Sequence, residues 1–204
     1  MTCVFATNNP NKIIELREMA RLEGVELLTL SDLGLVCVPD ETGATFEENA
    51  LIKARTVAQC LTENPRIVCA DDSGLCIDAL DGDPGVQSAI FLGEDTPYSV
   101  RNARILEMLE NADNRSARFV CVIAAVFPDG RELTTRATIE GKIAYVPAGE
   151  NGFGYDPIFF VPKLDKTTAE LSPEEKNAIS HRGKAFGEML KKLTAGSAFD
   201  DPGK

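Results

Sequence analysis

Apolar positions along the 204-residue chain change their period several times, and each change marks an element. Residues 2–6, Thr-Cys-Val-Phe-Ala, form a short buried strand, punctuated by Asn9-Pro10. Beyond it Ile13, Leu16, Met19, Ala20 and Leu22 recur at helical spacing and stop at Gly24, so the chain opens strand, polar loop, helix. The segment 44–61 predicts a second helix, with Thr45 and Glu48 spaced as a capping box and an end before Asn64-Pro65. Residues 66–70, Arg-Ile-Val-Cys-Ala, read as the next strand, and the Asp-, Gly- and Pro-rich stretch 78–86 as turns.

The second half continues the alternation. Residues 96–112 predict a third helix with Pro97 in its first turn. Residues 115–127 and 131–146 predict two long strands joined at Pro128-Asp129-Gly130, the second rich in Thr, Ile and Tyr. A last helix is expected over 171–193, because Ser172 as N-cap, Pro173 at the first position and Glu175 three residues on agree. The reading is an α/β chain whose adjacent long strands make the sheet mixed, with one domain over residues 1–194 and a disordered tail from Ala195 to Lys204.

Composition narrows the class. Hydrophobic residues make up 44% and charged residues 26%, as in an ordinary globular protein. A net charge of −11, with no block of Lys or Arg, excludes a nucleic-acid polymer as partner. A small anionic substrate fits only where cations or a metal gather locally. The six cysteines have no Cys-x-x-Cys spacing and sit mostly in apolar surroundings, which reads as reduced thiols in a cytoplasmic protein. No secretory signal opens the chain, and the longest apolar run, Phe119 to Phe127, is too short for a membrane helix, so no membrane association is expected.

Five stretches could carry chemistry. Thr7-Asn8-Asn9-Pro10-Asn11-Lys12 lies where a strand enters a helix, a place suited to phosphate, although Asn9 could simply cap that helix. Glu41 stands in a loop outside the first turn that accounts for Glu47 and Glu48, and Lys53 follows within the helix. Asp71 and Asp72 follow the strand at 66–70 and precede Ser73-Gly74; they read equally as a turn or as hard oxygen ligands for Mg²⁺. Gly152-Phe153-Gly154-Tyr155-Asp156-Pro157 offers two rings on which a base could stack, or a glycine turn with aromatics in the core. The chain's one histidine, His181, precedes Arg182 and follows Lys176; the three meet one ligand only if the helix breaks near Ser180.

The order and wording of these stretches go further. Residues 6–16 (ATNNPNKIIEL), 41–54 (ETGATFEENALIKA), 70–75 (ADDSGL), 84–89 (PGVQSA), 152–159 (GFGYDPIF) and 169–185 (AELSPEEKNAISHRGKA) closely resemble the inosine triphosphate pyrophosphatase family, the Ham1/RdgB-type non-canonical purine NTP pyrophosphatases. The resemblance runs from residue 2 to about 190. It implies hydrolysis of ITP, dITP and XTP to monophosphate and pyrophosphate, dependence on Mg²⁺, a homodimer, and a long mixed sheet in two lobes with an active-site cleft between them. It further implies triphosphate binding by Thr7 to Lys12 and Lys53. Glu41 and Asp72 would bear on the metal, Asp72 would be the catalytic base, and Ser73 would touch substrate. Phe153, Gly154, Tyr155, Asp156, Lys176, His181 and Arg182 would form the nucleotide pocket. Where many members read Pro-Gly-Val-Tyr-Ser-Ala-Arg, this chain has Gln87 and Ile90, losing a ring and a cation.

Overall fold

The computed structural model describes residues 1–7, 9–61, 63 and 65–196. Its seven-stranded sheet has the order β2-β1-β3-β4-β5-β6-β7, where β1 is Thr2–Phe5, β2 Glu26–Thr29, β3 Ile67–Ile77, β4 Ser116–Val126, β5 Glu132–Ile143, β6 Phe159–Val161 and β7 Lys166–Thr167. β1 runs parallel to both β2 and β3, whereas β6 is antiparallel to β5 and β7, so the sheet is mixed as the adjacent long strands require. The helices are α1 (Pro10–Leu22), α2 (Phe46–Cys60), α3 (Tyr98–Met108), α4 (Pro173–Ile179) and α5 (His181–Gly196).

The chain divides into two compact units, residues 1–72, 121–137 and 182 onward in one, and 73–120 with 138–181 in the other. In the first, alternation along the strands sorts side chains to two faces. Cys3, Phe5, Cys69, Cys121, Ile123 and Ala125 meet Leu16 and Ala20 of α1 and Ala185, Phe186, Met189 and Leu190 of α5. Helix α2 turns Ala50, Ala54 and Val57 inward, all fully buried, and small residues at this spacing allow close approach. Its start is fixed by the expected box: Thr45 Oγ1 accepts from Glu48 N (3.1 Å) while the Glu48 carboxylate accepts from Thr45 N (3.1 Å), a cap worth about 1 kcal/mol. In the second unit Leu75, Ile77, Ile105, Leu109, Phe119, Ile143, Ile158 and Phe159 form the core.

Several boundaries differ from the sequence reading; α3 ends at Met108 rather than 112 and β5 at Ile143 rather than 146. β3 does not end at Ala70 but continues to Ile77, so Asp71 and Asp72 lie within a buried strand rather than beyond its end. Ion pairs described below override the low strand propensity of Asp. The single helix expected over 171–193 is two, because Ser180 adopts an extended conformation (φ −62°, ψ 145°). Pro97 caps α3 from outside instead of lying in its first turn. Residues 195 and 196, assigned to the tail, complete the last turn of α5, and 197–204 lie outside the described residues.

Candidate active site

The passage from β1 to α1 is a built helix start. Thr7 Oγ1 accepts from Asn9 N (3.2 Å), Asn9 Oδ1 accepts from Lys12 N (3.4 Å), and the Asn9 carbonyl accepts from Ile13 N (3.2 Å). Asn9 therefore does cap the helix, and capping leaves Lys12 in the first turn. From there its Nζ reaches Asp71 Oδ2 at 2.7 Å. The expectations for Asn8 and for the side chains of Pro10 and Asn11 fall outside what the structure describes.

The pleat of β3 separates the two acids. Asp71 follows Cys69 onto the face covered by α1 and α5, where Lys12 and Arg182 (Nε at 3.6 Å) meet it. Burial would push its carboxyl up, but Lys12, Arg182 and Lys53 outweigh that and hold it well below the usual carboxylate range. Asp72 turns to α2, where Lys53 Nζ donates to Oδ1 at 2.8 Å and Asn49 Nδ2 to Oδ2 at 3.5 Å. Its carboxyl is pushed up to about 6, chiefly by burial, with Glu41 and Asp71 adding to the shift and Lys53 opposing it.

Lys53 also donates to Glu41 Oε2 (2.9 Å) and so joins the loop acid to the strand acid. Its own pKa is raised, because the field of Asp72, Asp71 and Glu41 exceeds the desolvation that would lower it. The pair is uneven. Lys53 gains from three carboxylates, whereas Asp72 has this one ammonium to set against burial and two other carboxylates.

Two residues that the sequence reading passed over hold the loop in place. Asn49 lies one turn before Lys53 on the same face of α2, so i, i+4 spacing from Lys53 was the available signal. Its Oδ1 accepts from Gly43 N at 2.8 Å while its Nδ2 faces Asp72. A Cβ on Gly43 would lie 2.6 Å from Asn49 Oδ1 and 2.7 Å from Glu48 Cβ, which explains glycine at this contact. Glu47 and Glu48 both lie in the first turn as expected; Glu48 closes the cap and Glu47 pairs with Arg136 (2.7 Å), far off in sequence.

A cavity of ≈ 260 Å³ has Thr7, Asn9, Lys12, Glu41, Lys53 and Asp71 on its wall. Two ammonium groups, Lys12 and Lys53, face this hollow beside Asp71 and Glu41, the carboxylates that pair with them. No group of three or more His, Cys, Asp or Glu able to hold a metal ion occurs among the described residues. Glu41 and Asp72, hard oxygen donors whose joint charge a single ammonium leaves undercompensated, nevertheless suit a cation that takes one or two carboxylates and keeps much of its water.

In the second unit the Gly152–Pro157 stretch folds around Asp156. Its carboxylate accepts from Phe153 N (2.7 Å), Thr168 Oγ1 (2.8 Å) and Lys176 Nζ (2.6 Å), and Lys176 in turn lies 4.9 Å from the centre of the half-buried Phe153 ring. Tyr155 is 4% exposed, its hydroxyl donates to the Ser88 carbonyl (2.8 Å), and its ring abuts Tyr98 edge-on. That ring is a core element and is not available to stack on a base. Gly154 accepts at its carbonyl from Asn102 Nδ2 (3.1 Å), a further residue the sequence did not suggest. His181 and Arg182 are both buried, against the exposed helix face usual for such a pair; His181 stacks on Phe119 at 5.0 Å. The break at Ser180 that their joint use demands is present. Ser73 is half-buried at the first position of this unit. Asp78 and Asp81 lie in a turn, Asp78 paired with Arg118 and Asp81 at positive φ.

A match to the Ham1 family spans residues 3–192. The chain belongs to that family. A dITP/XTP pyrophosphatase of an Exiguobacterium species is 50% identical over 189 residues, covering 93% of this chain and 95% of its own. The Bacillus subtilis protein of the same name is 43% identical over 194 residues, covering 94% and 96%. The structure of the Staphylococcus aureus Ham1 protein superposes with a TM-score of 0.87 at 41% identity, over 96% of this chain and 100% of that one. The mixed sheet with its helices is thus the fold of solved Ham1 proteins.

Proposed function

We propose that the protein is a nucleoside triphosphate pyrophosphatase that hydrolyses dITP, ITP and XTP to the nucleoside monophosphate and pyrophosphate, keeping deaminated purines out of DNA and RNA. The observation that carries this reading is the arrangement around Lys53: one buried ammonium joins Glu41 to Asp72 beside a cavity that Lys12 also faces. Relatives that are named dITP/XTP pyrophosphatases and match nearly the whole chain support it.

Attack of water at the α-phosphorus needs a base, cations on the leaving group and a fixed phosphate chain. Asp72, oriented by Lys53 and Asn49, is the group that accepts the proton from water. Lys53 orients that carboxylate and, with Lys12, Thr7 and Asn9, holds the phosphates; Asp71 fixes Lys12 from below. Glu41 and Asp72 would hold Mg²⁺, which would supply positive charge to the departing pyrophosphate. Phe153 is the ring on which the purine stacks, with Gly154, Asp156 and Lys176 fixing its loop and Tyr155 supporting it from the core. Ser73 contacts substrate. His181 and Arg182 are the donors to the purine 6-oxo group; an amino group there would leave buried donors facing a donor, a strong penalty. The chain acts as one pyrophosphatase domain over residues 1–194, as a cytoplasmic homodimer. Among the described residues no helix is long and apolar enough to cross a membrane.

The test is product identification with dITP, ITP, XTP and ATP in the presence of Mg²⁺. Monophosphate and pyrophosphate from the 6-oxo nucleotides, with ATP turned over far more slowly, is the expected result. Diphosphate and phosphate, or equal turnover of ATP, would overturn the reading.

A further inference from the structure

We propose that Cys37 and Cys60 are a redox modification site, closing to a reversible disulfide that fastens the Glu41 loop to α2. The two Sγ atoms lie 2.7 Å apart, so forming a bond of about 2.05 Å needs movement of well under an ångström. Cys37 is held in place by a contact from its Sγ to the Thr56 carbonyl (3.7 Å), one turn before Cys60 on the same helix. Its neighbours in the loop point the other way: Val36 and Val38 are 92% and 82% exposed, whereas Cys37 is buried. Residues 35–43 have no regular secondary structure, and nothing covalent ties them to the helix they cover.

Accessibility makes the reaction selective. Cys3, Cys69 and Cys121 are fully buried and Cys76 half-buried, while Cys60 is exposed at the end of α2 with Cys37 beside it. A low-molecular-weight disulfide such as oxidised glutathione is the oxidant. The Cys60 thiolate attacks one of its sulfurs, forming a mixed disulfide and releasing one glutathione thiolate. The Cys37 thiolate then attacks the Cys60 sulfur, the Cys37–Cys60 bond forms, the bond to glutathione breaks, and the second glutathione leaves with the proton. Two protein thiols are oxidised and one small disulfide is reduced to two thiols. Dithiothreitol reduces the bridge back to two protein thiols and is itself oxidised to its cyclic disulfide.

The cross-link would act on the site through geometry. Cys37 and Glu41 both line the cavity that Lys53 faces, and Lys53 lies seven residues before Cys60 on α2. Closing the bridge restricts the loop that carries Glu41 without touching Asp72 or Lys53. That this bears on catalysis rests on the function proposed above; the disulfide itself does not.

The experiment treats the native full-length protein with oxidised glutathione, alkylates remaining thiols and maps unreduced tryptic peptides. The expected product joins residues 22–53 to residues 56–66, with both thiols lost to alkylation and restored by dithiothreitol. Cys37→Ser should instead keep glutathione on Cys60. Hydrogen exchange at residues 35–43 should slow in the oxidised protein. Both cysteines still open to alkylation at equilibrium, glutathione retained on Cys60 of the unmodified sequence, or Cys60 bridged to another cysteine would each overturn the disulfide. Unchanged exchange in linked protein would overturn the fastening. Loss of the linked peptide in protein that still hydrolyses dITP sinks this proposal alone, and linkage in protein that hydrolyses none of the nucleotides sinks the function alone.

Discussion

Asp71 and Asp72 are neighbours in the chain yet point to opposite faces of β3, the first to Lys12 and Arg182, the second to Lys53 and Asn49. The pleat gives two identical carboxyls opposite electrostatic fates, one held low by cations and one pushed up by burial.

Substitution should separate the two roles. Asp72→Asn is expected to lower kcat at least ~10²-fold while leaving the fold intact, the usual scale for a general base. Asp71→Asn leaves the buried Arg182 and Lys12 without their carboxylate and should cost about 3 kcal/mol in urea unfolding. Near-normal turnover by Asp72→Asn, or unchanged stability in Asp71→Asn, would contradict the division.

Removing the shared ammonium should make the protein depend on a cation for stability. In Lys53→Ala, Glu41 and Asp72 lose their common partner, so the metal-free variant should unfold at lower temperature than the parent. Addition of Mg²⁺ should recover more of the loss than it adds to the parent, through binding to the folded state. Thermal shifts measured across a Mg²⁺ series, without substrate, check this; equal shifts in both proteins would remove Glu41 and Asp72 as the metal's ligands.

Gly43→Ala tests whether the loop must lie against α2. The new methyl group would press on Asn49 Oδ1 and Glu48 Cβ, displacing the Gly43 N–H from Asn49. Turnover should fall by about tenfold or more, as a small misplacement in a positioned site commonly does, with a stability loss near 1 kcal/mol for the one hydrogen bond. Steady-state kinetics beside a urea melt would detect the mismatch between the two effects.

Closure of the Cys37–Cys60 bond should respond to pH in a way that identifies the attacking thiol. Burial first, and then the neighbouring Cys60, push Cys37 up to about 11. Because the thiolate is the nucleophile and burial still raises the Cys37 thiol once Cys60 carries glutathione, the closure rate should keep rising with pH past the ordinary thiol value of about 8.5, with no plateau there. Rapid-quench alkylation of the preformed mixed disulfide gives that rate, and a plateau below pH 9 would assign the attack to an unburied thiol.

Much of this site was legible in the sequence because its parts are local. The capping box at Thr45, the Asn9 cap and the turn at Asp78–Leu80 depend on residues within a few positions of one another. What escaped was set by distant partners. The strand reading stopped at Ala70 because two acids normally end a strand; only Lys12, Lys53 and Arg182, far off in sequence, make them tolerable inside one. Tyr155 looked like a stacking ring because its tie to Ser88 spans 67 positions. Gly43 was silent, since a glycine in a loop carries no pattern until it meets Asn49, whose i, i+4 place before Lys53 was the one signal for the pair.

The break at Ser180 has one further effect. A helix running unbroken from Pro173 would have no end near Arg182, but the second helix starts afresh at His181. Each helix start carries a partial positive charge of about half an elementary unit from its aligned peptide dipoles. In a chain with a net charge of −11, a kink in the backbone therefore provides positive field beside the Arg182–Asp71 pair that no additional lysine or arginine has to carry.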